Sequence, residues 1–341
     1  MLTKNKEIIR RCKPILANIF RNDFETYIRL FFREEKIVPQ LKNNNDFTVL
    51  EKAGLLAKSN DAYYARVMAY PLKDKFIITD FVFSLRHKKI LTIEGKKIEL
   101  YTRKRNQVWA MLPHETPQVI KNLRVKKNDI VLDLATGSGA IALFCADKAK
   151  KVYATDINPK AIKYAKFNAI LNNIEDKIEF RVGDLFSPIK NLKFDYIIWN
   201  GPTVAATNVS DPSSTYALSD FGGPDGADFT RRFIDEVRNY IKKDFVIQFY
   251  DSCLGSRNRS VSIDYLVRKF KNENFRVKID HLNKRKGMPL SVTKKLFEKY
   301  RYGKYPLAIN NFSEVDKAEK EVVPMDRRKK TKFCPFCYRN Y

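Results

Sequence analysis

Long apolar runs are missing from this sequence, and no segment approaches the roughly 18 residues that a membrane span requires. The N-terminal stretch MLTKNKEIIRRCKPIL is charged and lacks the apolar core of a signal peptide. Cysteine is also scarce, with five residues among 341, which is too few for a disulfide framework. We therefore expect a protein of the reducing cytoplasm that does not enter a membrane.

The only cysteines close together in the sequence are Cys334 and Cys337, in CPFC. Their spacing suits zinc, but one such pair supplies half of the ligands of a structural zinc site, and no second pair exists in the sequence. We therefore predict no metal and interpret the two residues as reduced thiols in the tail. A site shared by two chains, or a disulfide, is the alternative.

Acidic residues are few beside the basic ones, since 39 Asp and Glu oppose 65 Lys and Arg, for a formal net charge of +26. Such an excess favours polyanionic partners such as RNA, the ribosome or DNA. Lysine is spread along the whole chain, however, so the base composition of the genome and solubility explain the charge equally well. The hydrophobic content of 44% is typical of a globular protein.

The apolar pattern divides the chain into three segments. Residues 1–107 show helical spacing and then β-rich stretches, which predicts a small helical or α+β module. Residues 108–283 alternate strands and helices, which predicts an α/β, Rossmann-like, doubly wound and mostly parallel sheet. Residues 284–341 are predicted to form a basic C-terminal extension that contains CPFC. In such a sheet, ligands bind at the carboxyl ends of the strands, near the point where the strand order reverses.

A glycine turn in VLDLATGSGAIA carries Gly137 and Gly139 between a strand and a helix. The spacing matches the dinucleotide fingerprint, but a plain turn between strand and helix is the alternative. Asp133 lies inside the strand and faces the turn, where its carboxylate would repel a pyrophosphate and attract a cation. S-adenosylmethionine carries an ammonium and a sulfonium and no phosphate, so it fits this position better than a nicotinamide dinucleotide does.

Two further acids follow the next two strands. Asp156 is placed to accept hydrogen bonds from both ribose hydroxyls, and Asp184, in GDLF, to bind the adenine amine. Each acid by itself is more simply a cap or turn residue; their joint spacing favours a nucleoside with a cationic tail. The predicted cofactor-binding residues are Asp133, Ala135, Gly137, Gly139, Asp156, Ile157, Asp184, Leu185 and Asn200.

Four linked motifs carry a family resemblance: VLDLATGSGAIAL, ATDINPKAIKYAKFNA, VGDLF and GGPDGADFTRRFI. Over about residues 108–250 the chain resembles class I S-adenosylmethionine-dependent methyltransferases. The nearest subgroup looks like the release-factor glutamine N5-methyltransferases and their small-domain relatives that act on rRNA. The resemblance implies S-adenosylmethionine as cofactor and N-methylation of an amide, amine or other planar nitrogen on a protein, RNA or small molecule.

The chain departs from this family where the family reads Asn-Pro-Pro-aromatic, since it has Asn200-Gly201-Pro202-Thr203. In the family, the Asn side-chain carbonyl and the next backbone carbonyl accept the two N–H bonds of a planar nitrogen. The resemblance therefore implies that Asn200, Gly201 and Pro202 are catalytic. Glycine at 201 keeps a carbonyl but loses rigidity, at a cost of about 0.5–1 kcal/mol.

Thr203 replaces the aromatic ring that stacks on the target group in the family. Stacking a base on such a ring is worth about 1–3 kcal/mol, so its loss disfavours a flipped base and favours a small amide or amine. The predicted substrate contacts are Trp109, Thr203, Tyr216 and Phe221. The alternatives are a simple turn at Asn200, and a catalytically degenerate fold that binds RNA or the ribosome. The sequence names neither the methyl acceptor nor the oligomeric state.

Overall fold

The computed structural model describes residues 2–39, 44–81, 88–93, 96–101, 106–108, 115–203, 218–219, 221–250, 260–271, 288–289 and 332–333. The chain forms two compact units, Met1–Ile198 and Trp199–Tyr341. The domain boundaries predicted from the sequence, after residues 107 and 283, remain predictions. No helix in the described ranges is long and apolar enough to cross a membrane.

The first unit begins with three helices, followed by antiparallel hairpins. The helices are α1 (Lys6–Asn22), α2 (Phe24–Phe31) and α3 (Asn44–Lys52). The hairpins pair β1 (Leu56–Ser59) with β2 (Ala62–Ala65), β3 (Met68–Leu72) with β4 (Lys75–Thr79), and β5 (Lys88–Ile93) with β6 (Lys96–Tyr101). The N-terminal segment is therefore an α+β module, as the sequence predicts.

The rest of the first unit alternates helices and strands. In chain order these are α4 (Glu115–Lys121), β7 (Ile130–Leu134), α5 (Ala140–Ala146), β8 (Lys151–Asp156), α6 (Pro159–Leu171), β9 (Ile178–Val182) and β10 (Phe194–Trp199). The pairings of β7 with β8 and of β8 with β9 are parallel. Asn158 caps α6 by accepting from the Lys160 amide, and Pro159 occupies the first turn.

The described part of the second unit contains α7 (Asp228–Glu236), a 3-10 turn (Val237–Tyr240), β11 (Ile241–Phe249), α8 (Val261–Lys269), β12 (Met288–Pro289) and β13 (Lys332–Phe333). Strands β10, β7, β8 and β9 lie in this order in a five-stranded sheet whose fifth strand is β11. The order reverses between β7 and β10, because the chain moves outward in one direction through β8 and β9 and then returns. The predicted Rossmann-like, doubly wound fold is confirmed.

Helix α6 joins the N-terminal module to the sheet. Its buried residues share one core with α1, α2 and the first hairpins. Two asparagines of α6 also bind the backbone of β4: Asn168 pairs with the N–H and C=O of Ile78 at 2.8 and 2.9 Å, and Asn172 pairs with those of Phe76. The Asn168 amide also donates to the Ser138 carbonyl at 2.8 Å, so one fully buried side chain links β4 to the glycine turn.

Candidate active site

The glycine turn follows β7 and bends through left-handed backbone conformations. Ala135, Gly137 and Gly139 have φ of 56°, 55° and 81°. A side chain at Gly139 would place its Cβ 2.9 Å from the Cβ of Ala165 in α6, so only glycine lets the turn approach that helix. The Thr136 amide donates to the Thr155 carbonyl of β8 at 2.9 Å. The turn is therefore held on both sides, and Ala135 keeps a conformation that non-glycine residues rarely adopt.

Asp133 is a buried carboxyl with an unused oxygen. It is 1% exposed, and its Oδ2 accepts from the Thr136 hydroxyl at 2.6 Å. Its Oδ1 has no hydrogen-bond partner among the described residues. Burial raises the pKa of Asp133 to about 7, against the Thr136 hydroxyl and the Ala142 amide, which favour the ionised form. Ala142 makes no hydrogen bond of normal geometry to Oδ1, so this oxygen is a buried acceptor without a donor.

Asp156 ends β8 and ties the glycine turn to the start of α6. Its Oδ2 accepts from the Gly137 amide and its Oδ1 from the Asn158 amide, both at 2.8 Å. Burial raises the pKa of Asp156, and these two amides oppose the shift. Each oxygen keeps a second lone pair, so Asp156 has capacity for two hydroxyl donors besides its structural bonds.

The carboxyl ends of β8 and β9 also present apolar surface. Ile157 is 53% exposed and Val182, the register partner of Asp156, is 48% exposed. Leu185 is buried with φ of 42°, and Phe186 is fully buried, so neither supplies much open surface. Val182 is not among the residues predicted from the sequence. An apolar residue at the last position of a strand, directly before Gly183 and Asp184, indicates apolar surface at this edge of the sheet. Asp184 is half-buried after β9.

The predicted acceptor segment opens the second unit. Asn200, Gly201 and Pro202 are half-buried, whereas Thr203 is only 7% exposed. A Cβ on Gly222 would lie 2.8 Å from the Cα of Thr203, so the backbone next to Phe221 packs against Thr203. Thr203 is thus covered largely by the protein itself. The other predicted substrate contacts, at positions 109 and 216, lie outside the described residues.

The loop that covers Thr203 is held by an arginine of α7. Arg231 donates to both oxygens of Asp225, at 2.8 and 2.9 Å, and also bonds Asp228. The Asp228 amide donates to the Gly222 carbonyl at 2.8 Å. A two-point contact between a guanidinium and a carboxylate fixes orientation as well as distance. This arrangement gives a physical role to Gly222, Asp225, Asp228 and Arg231 of the motif GGPDGADFTRRFI.

Comparison with known proteins identifies the chain's family. The profile described as "Methyltransferase small domain" matches residues 109–215. A putative protein N5-glutamine methyltransferase of Methanocaldococcus jannaschii, MJ0928, is 36% identical over 191 residues, which are 56% of this chain and 90% of that protein. The chain belongs to the small-domain family of S-adenosylmethionine-dependent methyltransferases. The predicted enzyme class and cofactor are thereby confirmed, as is N-methylation as the type of reaction.

Other relatives of this methyltransferase align over shorter stretches. The release factor glutamine methyltransferase of Thermodesulfovibrio yellowstonii is 36% identical over 135 residues, 36% of this chain and 47% of that protein. The ribosomal protein uL3 glutamine methyltransferase of Burkholderia pseudomallei is 32% identical over 130 residues, 34% of this chain and 42% of that protein. The chain thus spans about half the length of these two relatives.

Among solved structures, the ribosomal protein L11 methylase of Lactobacillus delbrueckii subsp. bulgaricus has a TM-score of 0.35 and 21% identity, covering 49% of this chain and 70% of that one. The M. jannaschii tRNA m1G37 methyltransferase has a TM-score of 0.34 and 22% identity, covering 61% and 53%. Scores this low do not bear on the fold, whose assignment rests on the sheet order and the family profile.

The methyltransferase has residues that suit S-adenosylmethionine. The Oδ1 of Asp133, which has no partner among the described residues, is a buried acceptor that an ammonium would satisfy. Asp156 has two free lone pairs, and Ile157 is an exposed apolar residue directly after it. The turn at Gly139 brings backbone rather than side chains to this edge. These features fit a nucleoside with a cationic tail, although the individual site residues remain predictions.

Replacing Asp156 with alanine is expected to weaken binding of both S-adenosylmethionine and S-adenosylhomocysteine at least about tenfold. Hydrogen bonds to a charged acceptor are worth about 1.5–3 kcal/mol each, and the variant loses those to the ribose. Isothermal titration calorimetry measures the affinities, and thermal unfolding checks the cost of releasing the Gly137 and Asn158 amides. Asp176→Ala, which removes an exposed carboxylate, is the matched control. Unchanged affinity in a folded Asp156→Ala protein would contradict the assignment.

Proposed function

We propose that this methyltransferase methylates the side-chain amide nitrogen of a glutamine in a protein of the translation machinery. The observation that carries the proposal is the segment Asn200-Gly201, which keeps the two carbonyl groups that a planar N–H₂ group needs as acceptors. Relatives named as glutamine methyltransferases of release factors and of a ribosomal protein support the acceptor class. Both kinds of acceptor work at the ribosome, which supports the predicted cytoplasmic location.

Asn200 and Gly201 act by alignment. The side-chain carbonyl of Asn200 accepts one amide N–H and the backbone carbonyl of Gly201 accepts the other, which fixes the plane and direction of the nitrogen. S-adenosylmethionine supplies an electrophilic methyl group on a sulfonium. Fixing the nucleophile in this way converts an encounter in solution into an oriented, effectively unimolecular step. The extra proton of the methylated nitrogen leaves to water, so no basic side chain is required.

The three strand-end acids hold the cofactor in this proposal. Asp133 binds the ammonium through Oδ1, Asp156 binds the ribose hydroxyls, and Asp184 binds the adenine amine. Ile157, which is 53% exposed, provides apolar contact beside the base, whereas the buried Leu185 adds little surface. The surroundings of two of these acids suit their roles, because Asp133 is a buried carboxyl with an oxygen that lacks a donor and Asp156 has lone pairs to spare.

The buried Thr203 favours a protein acceptor over a nucleic acid base. A flipped base needs an aromatic surface on which to stack, and Thr203 offers a small side chain that is largely covered. A glutamine amide is small and needs only the two carbonyl acceptors. Phe221, half-buried one residue before Gly222, contacts the aliphatic part of the glutamine side chain in this proposal.

The proposal is tested by incubating the protein with isotopically labelled S-adenosylmethionine, its own organism's release factor and total ribosomal proteins. We expect one methyl group on one glutamine, located by mass spectrometry of tryptic peptides. Replacing that glutamine by asparagine in the acceptor should abolish labelling, because the amide no longer reaches Asn200. Label found in RNA, or cofactor binding without any transfer, would favour the alternative hypothesis of a nucleic acid-directed or degenerate protein.

A lysine-lined cavity of about 960 Å³ supports a polyanionic partner. Its basic lining residues are Lys127, Lys148, Lys150 and Lys177. Lys150 and Lys177 directly precede β8 and β9, and Lys127 lies three residues before β7. The cavity therefore lies at the amino ends of the strands, away from the carboxyl ends where the cofactor residues lie. Asp147, the acid among its lining residues, pairs with Lys75 at 2.9 Å. In this proposal, the edge of the sheet formed by the amino ends of β7, β8 and β9 contacts ribosomal RNA beside the protein acceptor.

Reversing three of these charges, by Lys127→Glu, Lys148→Glu and Lys150→Glu, is expected to weaken ribosome binding and lower its salt dependence. The slope of log affinity against log salt should fall by about 0.9 for each phosphate that the protein no longer neutralises. The control combines Lys4→Glu, Lys163→Glu and Lys166→Glu, which change the total charge equally at other exposed positions. Equal slopes for the two triple variants, measured by sedimentation with ribosomes, would remove this edge as a contact.

A further inference from the structure

Gly201 lies directly against the indole ring of Trp199. A Cβ built on Gly201 would lie 2.2 Å from Cζ2, 2.4 Å from Cη2 and 2.7 Å from Cε2 of that ring. Real Cβ atoms do not approach other atoms so closely, so every side chain is excluded at 201 while the ring stays in place. The φ of Gly201 is not in the left-handed region, so its backbone is accessible to other residues and the restriction is steric.

The indole of Trp199 has no freedom to retreat. Its side chain is 1% exposed, and its Nε1 donates to the hydroxyl of Thr230 at 3.0 Å. The ring stacks on Phe233, with centroids 5.3 Å apart and planes 13° from parallel. Thr230 and Phe233 both belong to α7 and are fully buried. The Trp199 carbonyl also accepts from the Tyr250 amide at 2.9 Å, so backbone and ring are both fixed.

Helix α7 holds the other end of the same segment as well. Its Arg231 clamps Asp225 and Asp228, and that loop packs Gly222 against the Cα of Thr203. The four residues Asn200–Thr203 are thus confined at Gly201 by Trp199 and at Thr203 by the loop. Both contacts depend on side chains within about one turn of the same helix, which makes α7 a common support for the segment.

We propose that Trp199 is a positioning residue for the acceptor: its indole, locked on α7, packs under Gly201 and fixes the Gly201 carbonyl relative to the Asn200 side chain. This inference rests on the proposed function and identifies how the acceptor amide is oriented. Where the family restricts this position with a proline ring, the present chain restricts it by tertiary packing. Glycine is then required at position 201 because the Trp199 ring leaves no room for a side chain. It does not make the segment less rigid than the family's motif.

The contact between Trp199 and Gly201 predicts that a change at Trp199 reduces the loss of activity caused by a side chain at Gly201. Gly201→Ala should lower kcat/KM for the acceptor at least about tenfold, since a displacement near 1 Å can cost about a hundredfold in rate. Trp199→Phe removes the indole atoms that approach Gly201, and should lower kcat/KM by itself through a looser segment. In the Trp199→Phe background, adding Gly201→Ala should cost less than about threefold, because the overlap is gone. Cofactor affinity should stay within about twofold in all three variants.

A purely structural role for Trp199 would give a different result. Phe194→Leu is the matched control, because Phe194 is a fully buried aromatic residue of the same strand that lies in the first unit. It should lower the free energy of unfolding without changing KM or kcat of the folded enzyme. If Trp199 were only a core residue, Trp199→Phe and Gly201→Ala would behave like this control.

The closing experiment measures the unfolding free energy and the acceptor KM and kcat for the wild type, both single variants and the double variant. Coupling between the two sites in unfolding free energy and in kcat/KM supports the proposal. Coupling in unfolding free energy alone overturns it, and so does the absence of coupling in both. Failure of the wild type to methylate glutamine would contradict the proposed acceptor; the same kinetic cycle on the acceptor that is methylated still decides the role of Trp199.

Discussion

Asn200→Ala is expected to lower kcat at least about a hundredfold while S-adenosylmethionine affinity stays within about twofold, because losing one preorganised hydrogen-bonding group at the reacting atoms typically costs a hundredfold or more. The Asn200 carbonyl accepts an N–H whose acidity increases as the nitrogen attacks the methyl group. Its contribution therefore grows towards the transition state, and kcat and kcat/KM should fall together.

Two further variants sharpen this measurement. Asn200→Asp keeps an oxygen acceptor of the same size, so it should retain more activity than alanine, although its charge changes the local field. Asn18→Ala replaces an exposed asparagine of α1 and should leave both affinity and rate unchanged. Steady-state kinetics with a saturating acceptor and direct calorimetry of the cofactor separate the two effects. An alanine variant with the wild-type rate would mean that Asn200 only forms a turn.

Much of the fold follows from local sequence patterns. The alternation of strands and helices is visible in short stretches of sequence and is confirmed, and the cap at Asn158 with the proline after it is equally local. Long-range contacts were not readable in the same way. Asn168 lies 90 residues from Ile78, and nothing in either local sequence shows that an amide side chain completes the edge of β4.

The acceptor segment contains one feature that the sequence predicts and one that it does not. Residues i and i+2 of an extended chain share a face, so Trp199 and Gly201 could have been paired from the sequence, and the glycine interpreted as room for a ring. That the ring is fixed depends on Thr230 and Phe233, which α7 brings to it from some thirty residues away. Installing the family's motif by Gly201→Pro and Thr203→Tyr would therefore create an overlap with Trp199 and require space that Thr203 lacks.

Asp133 leads to the second large effect: affinity for S-adenosylmethionine is expected to fall about tenfold for each pH unit below about 7. Burial raises the pKa of Asp133 to about 7, so the free protein holds a neutral carboxyl in more acidic solution. An ammonium ligand stabilises the ionised form, so binding below that pH must release a proton, and about two pH units correspond to about a hundredfold. Above pH 7 the affinity should level off.

The free energy of unfolding should also depend on pH through Asp133, but in the opposite direction to cofactor affinity. The pKa of Asp133 is about 7 in the folded protein and near its ordinary value of 3.8 when unfolded. Between these values the folded state binds more protons than the unfolded state, so stability of the cofactor-free protein falls as pH rises through this window. Asp156, whose pKa burial also raises, contributes in the same direction.

Asp133→Asn isolates the contribution of Asp133 to cofactor binding. Asparagine still accepts from the Thr136 hydroxyl, but it neither ionises nor neutralises an ammonium. We expect weak affinity that changes little from pH 5 to 8, with any remaining slope due to Asp156. Calorimetry in two buffers of different ionisation enthalpy should find close to one proton released per cofactor in the wild type near pH 6, and much less in the variant. Methylthioadenosine has the nucleoside without the ammonium, so its binding should be nearly indifferent to this substitution. If wild type and Asp133→Asn have the same pH profile for S-adenosylmethionine, then Asp133 is not the group that receives the ammonium.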